Sequence, residues 1–394
     1  MLKARWTHCN EIRSALREIM EEGRNAEYTV KKYTASPNKG SKDRKFIAEA
    51  VFGIIKNFRY YSFISPETDD PYTGELLAYL ITNNILPPNG EEWSRYPREL
   101  TESKIREADF IPGVRYSMPQ WLDELGMSQL PHQWEDIRKV SVEKAPVYIR
   151  VNNLLANVRK VSGHLSKKGI EHTIENEHCI RLIDRLNVQT DNAYLNGWFE
   201  IQDMGSQSVA VFCNPLPGQA VIDACAGAGG KTLHLADLMH NEGNILALDV
   251  NEKALEQLKI RARRAQASII AVSNYSDPQK ILDLDDSADL VLCDVPCNAT
   301  GVMRREIDQK WKLSPEKLEE LLHTQIHILD RASSWVVPGG HLVYATCSVL
   351  PQENHEQIRA FLQKHPDYKL IEEKQLFPVH NGHDGFYMCR MQRS

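Results

Sequence analysis

The chain contains 394 residues, of which 42% are hydrophobic and 25% charged, and its formal net charge is −6. This balance is typical of a folded globular protein and excludes a largely disordered chain, while the length predicts two or three domains. No apolar run approaches the roughly 20 residues that cross a bilayer, and the first residues lack the apolar core of a signal peptide, so we expect a cytoplasmic protein without a membrane anchor.

Eight cysteines are scattered along the chain. They form no Cys-x-x-Cys pair and show no Cys/His spacing typical of zinc. The sequence therefore predicts reduced thiols and no bound metal.

The first part of the chain is predicted to be helical. Apolar residues recur at helical spacing in Ile12–Met20 and again in Ile47–Phe58. Two stretches rich in helix breakers and acids, Ile64–Gly74 and Pro87–Pro97, are predicted loops. We therefore expect a small helical domain over residues 1–140.

A different pattern begins at Pro146 and predicts a short α/β module over residues 141–200. The segment VYIRVN favours a strand, Val158–Lys168 favours a helix, and the stretch IEHTIENEHCIRLI favours extended chain. Two basic clusters occur in these first two regions: residues 30–46 hold six basic side chains and one acid, and residues 144–170 hold six and none. Either cluster suits contacts with phosphates, despite the negative total charge, and either is compatible with an ordinary solvated face.

From Gln219 onward, apolar strand-like runs alternate with helical stretches. VIDA, ILALDV, ADLVLCDV and HLVYATC are separated by two shorter helical segments and by a long helix predicted near residues 316–337. This alternation predicts an α/β domain in which helices cover both faces of a parallel sheet. Ligands of such sheets bind at the carboxyl ends of the strands.

A glycine-rich loop follows the first of these strands. Residues 223–232 read DACAGAGGKT and lead directly into a helix, so the backbone can approach a ligand closely. A Walker loop would need glycine at Cys225, and the dinucleotide pattern would need glycine at Thr232, so neither fits. One strand later, Asp249 stands where a carboxylate binds ribose hydroxyls, although such an Asp also serves as a helix cap. Together these features favour a nucleoside ligand without phosphates.

Two cysteines follow the next two strands of the predicted sheet. Cys297 lies in CDVPCNATG, shortly after Asp294, and Cys347 lies in YATCSV, so both thiols are expected at one crevice. A lone cysteine is usually a small core residue. Two at strand ends suit covalent catalysis, because a thiolate added to carbon 6 of cytosine makes carbon 5 electron-rich enough to accept a sulfonium methyl. Asp294 can hydrogen-bond the base edge, and these residues alone leave either thiol as the nucleophile.

In order along the chain, several motifs resemble those of the RsmB/Nop/Sun family of RNA 5-methylcytosine methyltransferases, particularly its bacterial ribosomal-RNA members. They are FEIQDMGSQ, DACAGAGGKT, DVPCNATG, RRE at Arg304 and Arg305, ATCSV, QEN and DGFYM. DRKFIAEAVFGIIK and VYIRVN resemble, less closely, that family's NusB-like domain and its small pre-methylase module. The resemblance implies an all-helical NusB-like domain at 1–140, a small α/β RNA-binding module at 141–200 and a Rossmann-like class I S-adenosylmethionine-dependent methyltransferase domain at 201–394.

The resemblance also implies roles for single residues. Cys347 would attack carbon 6, Cys297 would assist product release, and Lys231 and Asp294 would line the same active site. S-adenosylmethionine would be held by Cys225, Ala226, Gly227, Ala228, Gly229, Gly230, Lys231, Asp249 and Asp294. Where many members place an acid beside the adenine, this chain offers Asn274, with Asp277 three positions on.

The chain departs from the family pattern in both loops. Members often read CAAPGGKT and DAPCSG, whereas this chain has Gly227-Ala228 in the first motif and Asn298-Ala299 in the second. Loop shape can differ, but no reacting group is lost. Arg304 and Arg305 are candidate phosphate contacts, although a surface salt bridge explains them nearly as well.

The implied substrate is a cytosine in RNA that is single-stranded or flipped, because a stacked base hides the face that the thiol attacks. The basic stretch 144–170 is the expected contact with the RNA backbone. Ribosomal RNA is the expected substrate, and transfer RNA is the alternative within the same chemistry. An RNA-binding assembly factor without activity is an alternative of a different class, which the joint presence of Cys297, Cys347, Asp294 and Lys231 disfavours.

Overall fold

The computed structural model describes residues 2–36, 39–95, 99–100, 102–183, 186–275 and 284–394. These residues form two compact units. The first comprises Met1–Lys144 and Met303–Pro315, and the second comprises Ala145–Val302 and Glu316–Ser394. The three-domain division at residues 140 and 200 stays a prediction.

The first unit is built from helices around one apolar core. Helix α1 buries Ile12, Leu16 and Ile19, and α3 buries Ile47 and Val51, as their helical spacing predicts. The helices are α1 (Trp6–Met20), α2 (Ala26–Thr34), α3 (Ser41–Lys56), α4 (Phe58–Ile64), α5 (Thr73–Thr82), α6 (Glu91–Ser94), α7 (Glu102–Phe110), α8 (Pro112–Arg115), α9 (Gln120–Gln129), α10 (Trp134–Ser141) and a short helix at Gln309–Lys312. Strands β1 (Leu2–Lys3) and β2 (Ile85–Leu86) pair in parallel.

Two predicted loops of this unit are partly helical. Helix α5 begins at Thr73, inside the predicted loop Ile64–Gly74, and α6 lies inside the predicted loop Pro87–Pro97. Part of the second loop lies outside the described residues. Breaker residues mark both segments correctly as connections, but they do not set the first residue of the next helix.

The second unit begins with a four-stranded antiparallel sheet in the order β4-β5-β3-β6. Its elements are β3 (Val147–Val151), α11 (Val158–Lys167), β4 (His172–Ile174), β5 (Cys179–Leu182), a 3₁₀ turn (Val188–Thr190), α12 (Asn192–Leu195) and β6 (Phe199–Ile201). The predicted strand and helix of this region are confirmed, and the predicted extended stretch is the hairpin of β4 and β5. Ile149, Val161 and Phe199 form its core.

Arg150 corrects one expectation about this module. It was counted in the basic stretch 144–170, but it is only 1% exposed. Its Nε donates to Oε1 of Gln202 over 2.8 Å, and its guanidinium lies 3.5 Å from the Asp237 carboxylate. Arg150 is therefore a structural cation that is closed to an RNA backbone.

A seven-stranded sheet in the order β12-β13-β11-β10-β7-β8-β9 forms the rest of the second unit. The five strands from β11 to β9 are parallel, and β13 and β12 add an antiparallel edge. The elements are α13 (Met204–Cys213), β7 (Ala220–Asp223), α14 (Gly230–Leu238), β8 (Asn244–Asp249), α15 (Glu252–Ala265), β9 (Ile270–Asn274), β10 (Ala288–Asp294), α16 (Pro315–Ser333), β11 (Val336–Thr346), a 3₁₀ turn (Pro351–Glu353), α17 (His355–Lys364), β12 (Tyr368–Leu376) and β13 (Phe386–Arg393).

The α/β class and the parallel core are confirmed, with one boundary corrected. The predicted helix near residues 316–337 ends at Ser333, because Val336 already pairs with Ala288 at the start of β11. Strand β13 brings Phe386 beside the carboxyl end of β11, where Tyr387 pairs with Thr346. The edge of the sheet that receives ligands is thus bordered by a late segment of the chain.

Candidate active site

The glycine loop, residues 223–230 between β7 and α14, is fixed by its neighbours and open on one side. The Gly227 N–H donates to Oδ2 of Asp249 over 2.8 Å. Gly229 has φ +84°, and a Cβ there would lie 2.5 Å from Cγ of Leu258, so this position requires glycine. Gly227 has φ +52°, but a Cβ there would meet no atom within 4 Å. The loop therefore presents backbone atoms to open space beside Asp249.

Asp249 anchors the glycine loop to the end of β8 and is not the cap of the following helix. Its Oδ1 accepts from the Asn251 N–H over 2.8 Å, and the side chain of Asn251 caps α15. Asn274 lies directly opposite Asp249 in the register of β8 and β9, and both are half-buried. Asp277 lies outside the described residues. The structure thus brings Asp249 and Asn274 together beside the glycine loop.

Two charged residues that the sequence did not single out also hold this loop. The Arg261 guanidinium, on α15, donates to the carbonyl of Ala228 over 2.6 Å and to the carboxylate of Glu200 over 3.1 Å. Glu200 is 3% exposed and also pairs with Arg264. Glu200 lies within the motif FEIQD, which was the available signal, but its partner on α15 is 61 residues away.

Cys297 and Cys347 meet at the carboxyl ends of neighbouring strands. Asp294 of β10 pairs in parallel with Ala345 of β11, so the following residues leave the sheet side by side. The two Sγ atoms lie 3.2 Å apart, and both residues are half-buried. The expectation that both thiols share one crevice is confirmed.

Buried side chains hold the cysteine loops, residues 295–302 and 347–350. Oγ1 of Thr300 and Oγ of Ser348 lie 3.1 Å apart. Glu353, which is 0% exposed, accepts from the Asn298 N–H over 2.9 Å and from Nε2 of Gln325 over 3.0 Å. The sequence marked QEN as a family motif without a role; here its glutamate ties a helix to the loop of Cys297.

Lys231 and Asp294 form an ion pair between the glycine loop and the cysteine loops. Nζ of Lys231 lies 2.5 Å from Oδ2 of Asp294 and 5.2 Å from the centre of the Phe386 ring. Burial opposes charge on Lys231, but Asp294 outweighs it and Cys347 adds to it, so the pKa of Lys231 is raised. The site therefore holds an ammonium beside the Cys347 thiol.

The two thiols are coupled through one hydrogen bond, in which either sulfur can be the donor. This hydrogen bond, together with burial, raises the pKa of Cys297 well above its usual value. Cys297 is therefore a thiol that holds its proton. Cys225 and Cys293 differ from this pair because they pack in an apolar cluster, where burial raises the pKa of each thiol.

Asp223 lies under the glycine loop, at the end of β7. It is 1% exposed, and its Oδ2 accepts from the hydroxyl of Thr232 over 2.7 Å. Burial raises the pKa of Asp223 to about 7. The base of the loop thus contains a carboxyl group that holds its proton at mildly acidic pH.

The predicted phosphate contacts are only partly available. Arg304 is 4% exposed and Arg305 is half-buried, so the expectation that Arg304 grips phosphate is wrong for this structure. In the stretch 144–170, Lys168 pairs with Asp191 over 2.8 Å, and Nζ of Lys160 lies 3.9 Å from the centre of the Trp198 ring. Three further basic residues of this stretch are exposed: Lys144, Arg159 and Lys167.

No three His, Cys, Asp or Glu side chains within the described ranges are grouped as a metal site requires. No helix within them combines the length and the apolar composition of a membrane span.

Comparison with known proteins gives matches over most of the second unit and over the end of the first. A family described as 16S rRNA methyltransferase RsmB/F matches residues 210–392, and an RsmF/B-like ferredoxin-like domain matches residues 118–189. Ribosomal RNA small subunit methyltransferase B of Salmonella newport is 33% identical over 426 residues, which cover 97% of this chain and 98% of that protein. The protein of the same name from Photorhabdus laumondii is 32% identical, over 70% of this chain and 66% of its own length.

Solved structures show the same fold. A methyltransferase homologue from Pyrococcus horikoshii aligns with a TM-score of 0.64 at 24% identity, over 72% of this chain and 98% of that one. NSun6 from Pyrococcus horikoshii, crystallised with SFG, aligns with a TM-score of 0.63 at 19% identity, over 70% and 98%. These two likenesses concern the fold, which is that of Rossmann-like methyltransferases.

Proposed function

Because the chain belongs to the RsmB/F family of 16S rRNA methyltransferases, we propose that it methylates carbon 5 of a cytosine in ribosomal RNA through a covalent adduct with Cys347. It is an RNA methyltransferase that uses S-adenosylmethionine. The observation that carries the proposed mechanism is the pair of thiols 3.2 Å apart, next to the ion pair of Lys231 and Asp294. The cytoplasmic location stays part of the proposal.

The residues of the glycine loop fit the cofactor. Gly227 faces open space, as a cradle for a ligand requires, and the half-buried Asp249 lies beside it for the ribose. Asn274, opposite Asp249, is the proposed partner of the adenine. When bound, S-adenosylmethionine supplies the methyl group that carbon 5 accepts.

Cys347 is the proposed nucleophile. Its sulfur attacks carbon 6 of the base, a sulfur–carbon bond forms, and the electron pair of the 5,6 double bond becomes available at carbon 5. Cys297 supports this assignment, because a thiol that holds its proton 3.2 Å from the Cys347 sulfur can donate a hydrogen bond to that sulfur. The ammonium of Lys231 lies beside the same sulfur, since Cys347 is one of the groups that raise the pKa of Lys231.

Asp294 and Cys297 serve the remaining steps in this proposal. One oxygen of Asp294 accepts from Lys231, which leaves the other to hydrogen-bond the edge of the cytosine. After carbon 5 has gained the methyl group, its proton passes to water at the site, the electron pair of that C–H bond re-forms the 5,6 double bond, and the bond to the Cys347 sulfur breaks to release the thiolate. Cys297 lies where it can supply the proton that the departing thiolate takes up, which is its proposed part in product release.

The experiment that tests this function measures methyl transfer to defined RNAs. Purified protein and radiolabelled cofactor are incubated with unmodified 16S ribosomal RNA and with unmodified transfer RNA, and bisulfite sequencing locates the product. We expect label at one cytosine of the ribosomal RNA. Label in transfer RNA alone would mean that transfer RNA is the substrate. Cofactor binding without label in either RNA would favour an assembly factor that has no activity.

A further inference from the structure

The second unit contains a cavity that no residue assigned to the reaction lines. Its volume is about 440 Å³, within the range of pockets that bind small ligands. The cavity lies beside α13 and is bordered by α14, the turn between β4 and β5, and strands β12 and β13. It is therefore a different space from the one between the glycine loop and the cysteine loops.

His234 is a buried polar group that lines this cavity. It is 0% exposed, the Gln207 backbone carbonyl lies near its ring, and neither ring nitrogen has a partner with full hydrogen-bond geometry among the described residues. Burial, helped by the nearby charge of Arg150, lowers the pKa of His234 well below its usual value. A neutral imidazole offers one donor and one acceptor. Because buried polar atoms without partners are costly, a ligand with complementary polar edges would stabilise this position.

The apolar part of the wall suits a flat ring. Met204, Met388 and Phe212 line the cavity, and the Arg390 guanidinium lies 6.0 Å from the centre of the Phe212 ring. An aromatic face next to an arginine is a surface on which nucleic-acid bases stack.

The charged part of the wall suits a phosphate. Lys374 is exposed at the cavity, and Nε of Arg390 has no hydrogen-bond partner among the residues described. The acidic residue of the wall, Glu372, lies 3.4 Å from the Arg390 guanidinium, which largely neutralises its negative charge. The wall thus carries an excess of positive charge.

The cavity lies on the same face of the sheet as part of the active site. Phe386, Met388 and Arg390 alternate along β13 and therefore share a face. The Phe386 ring lies beside Lys231, and Met388 follows about 7 Å further along the strand. The two places are therefore only a few residues apart along β13.

We propose that this cavity binds one unstacked nucleotide. The base stacks on Phe212 and pairs with His234, and the phosphate lies near Lys374 and Arg390. The nucleotide that fits is one of the substrate RNA other than the target cytosine. This identification of the ligand rests on the proposed function. A free nucleoside monophosphate is the other source of the same chemistry.

The test measures equilibrium binding by the full chain, with S-adenosylhomocysteine present so that the cofactor site is occupied. The ligands are the four nucleoside monophosphates and short single-stranded RNAs. Lys374→Ala removes the exposed charge, and Ser208→Phe places a ring in the cavity from α13. Lys369→Ala is the matched control, because Lys369 is an exposed lysine of the same strand that does not line the cavity.

We expect Lys374→Ala to weaken RNA binding about threefold to fivefold, as loss of one exposed ionic contact does, and Ser208→Phe to weaken it by roughly tenfold because the ring occupies the ligand's space. Lys369→Ala should bind as the parent does. Equal effects on monophosphates and RNA would identify a free nucleotide as a ligand in its own right.

Unchanged binding of every ligand in Lys374→Ala would overturn the proposal, whether or not Ser208→Phe folds. Methyl transfer is measured separately on the same proteins. If Lys374→Ala transfers methyl groups normally and binds RNA as the parent does, only the proposed role of the cavity is contradicted. If the parent binds nucleotides at the cavity but transfers no methyl group, only the proposed reaction is contradicted.

Discussion

The glycine loop and the cysteine loops lie at the same edge of the large sheet, but they are held by different means. The glycine loop is held through its backbone, by Asp249 at Gly227 and by Arg261 at Ala228. The cysteine loops are held through buried side chains, among them Thr300 and Ser348. The first region therefore presents backbone atoms to a ligand, and the second presents two thiols in a fixed geometry. Substitutions should accordingly change affinity at the first and reactivity at the second.

The largest effect is expected at the thiols. Cys347→Ala should lower kcat by about a thousandfold or more, because the covalent step is lost. It should also abolish the adduct with RNA that contains 5-fluorocytosine, seen as a retarded band on a denaturing gel. Cys297→Ala should keep the attack and accumulate a stalled RNA–protein complex. An adduct that survives Cys347→Ala and disappears in Cys297→Ala would exchange the two roles.

The next effect concerns the carboxyl group under the glycine loop. The pKa of Asp223 is raised from 3.8 to about 7 by burial, so the folded protein keeps a proton that the unfolded chain loses in this range. This group's contribution to stability is complete below about pH 4 and is lost as the pH rises towards 7. Asp223→Asn cannot ionise, so its free energy of unfolding should fall less between these pH values. Denaturant unfolding at a series of pH values measures this free energy. An equal fall with pH in both proteins would contradict the raised pKa of Asp223.

A smaller effect is expected from the contact that holds the glycine loop from outside. Arg261→Ala should raise the Kd for S-adenosylmethionine about tenfold, because the Ala228 carbonyl and the buried Glu200 lose a charged donor. At saturating cofactor, kcat should stay close to that of the parent. Lys259→Ala on the same helix is the control, since Lys259 pairs only with exposed Glu256 among the contacts found. A fall in kcat without a change in Kd would mean that Arg261 affects the reaction at the cysteine loops and not the binding of the cofactor.

The smallest effect is expected at a departure from the family pattern. Ala299 stands in the second motif where relatives often have glycine, and its φ is +60°. Ala299→Gly relieves left-handed backbone strain, but it removes a buried methyl group and loosens the unfolded chain. The free energy of unfolding should therefore change by less than about 1 kcal/mol, with turnover unaltered. A large gain in activity would mean that the alanine restricts the loop of Cys297.

The parts of the fold and of the site that depend on local sequence pattern could be predicted. The alternation of apolar runs and helices predicted the parallel core, and parallel strands place their carboxyl ends at one edge, so Cys297 and Cys347 were expected together. Only the family resemblance assigned Cys347 as the nucleophile and Cys297 to product release, because the spacing of the motifs does not distinguish the two. The hydrogen bond between the two sulfurs, which raises the pKa of Cys297, is a property of the folded pair.

Contacts between distant segments were not predictable in this way. Glu200 and Arg261 look like surface charges in the sequence, although they meet beneath the glycine loop. Arg150 belongs to a basic stretch yet is buried against Asp237. Phe386 belongs to a recognised motif, but only the antiparallel addition of β13 places it beside Lys231.

That late strand has a consequence for biosynthesis. The Gly385 N–H donates to the Gly301 carbonyl over 2.9 Å, and a Cβ on Gly301 would lie 2.3 Å from the Gly385 oxygen, so the two segments fit only when both are present. A ribosome must therefore translate at least as far as codon 385 before this contact can form beside the cysteine loops. Prematurely terminated copies would carry both thiols without this contact, and we expect such copies neither to methylate RNA nor to form an adduct with it.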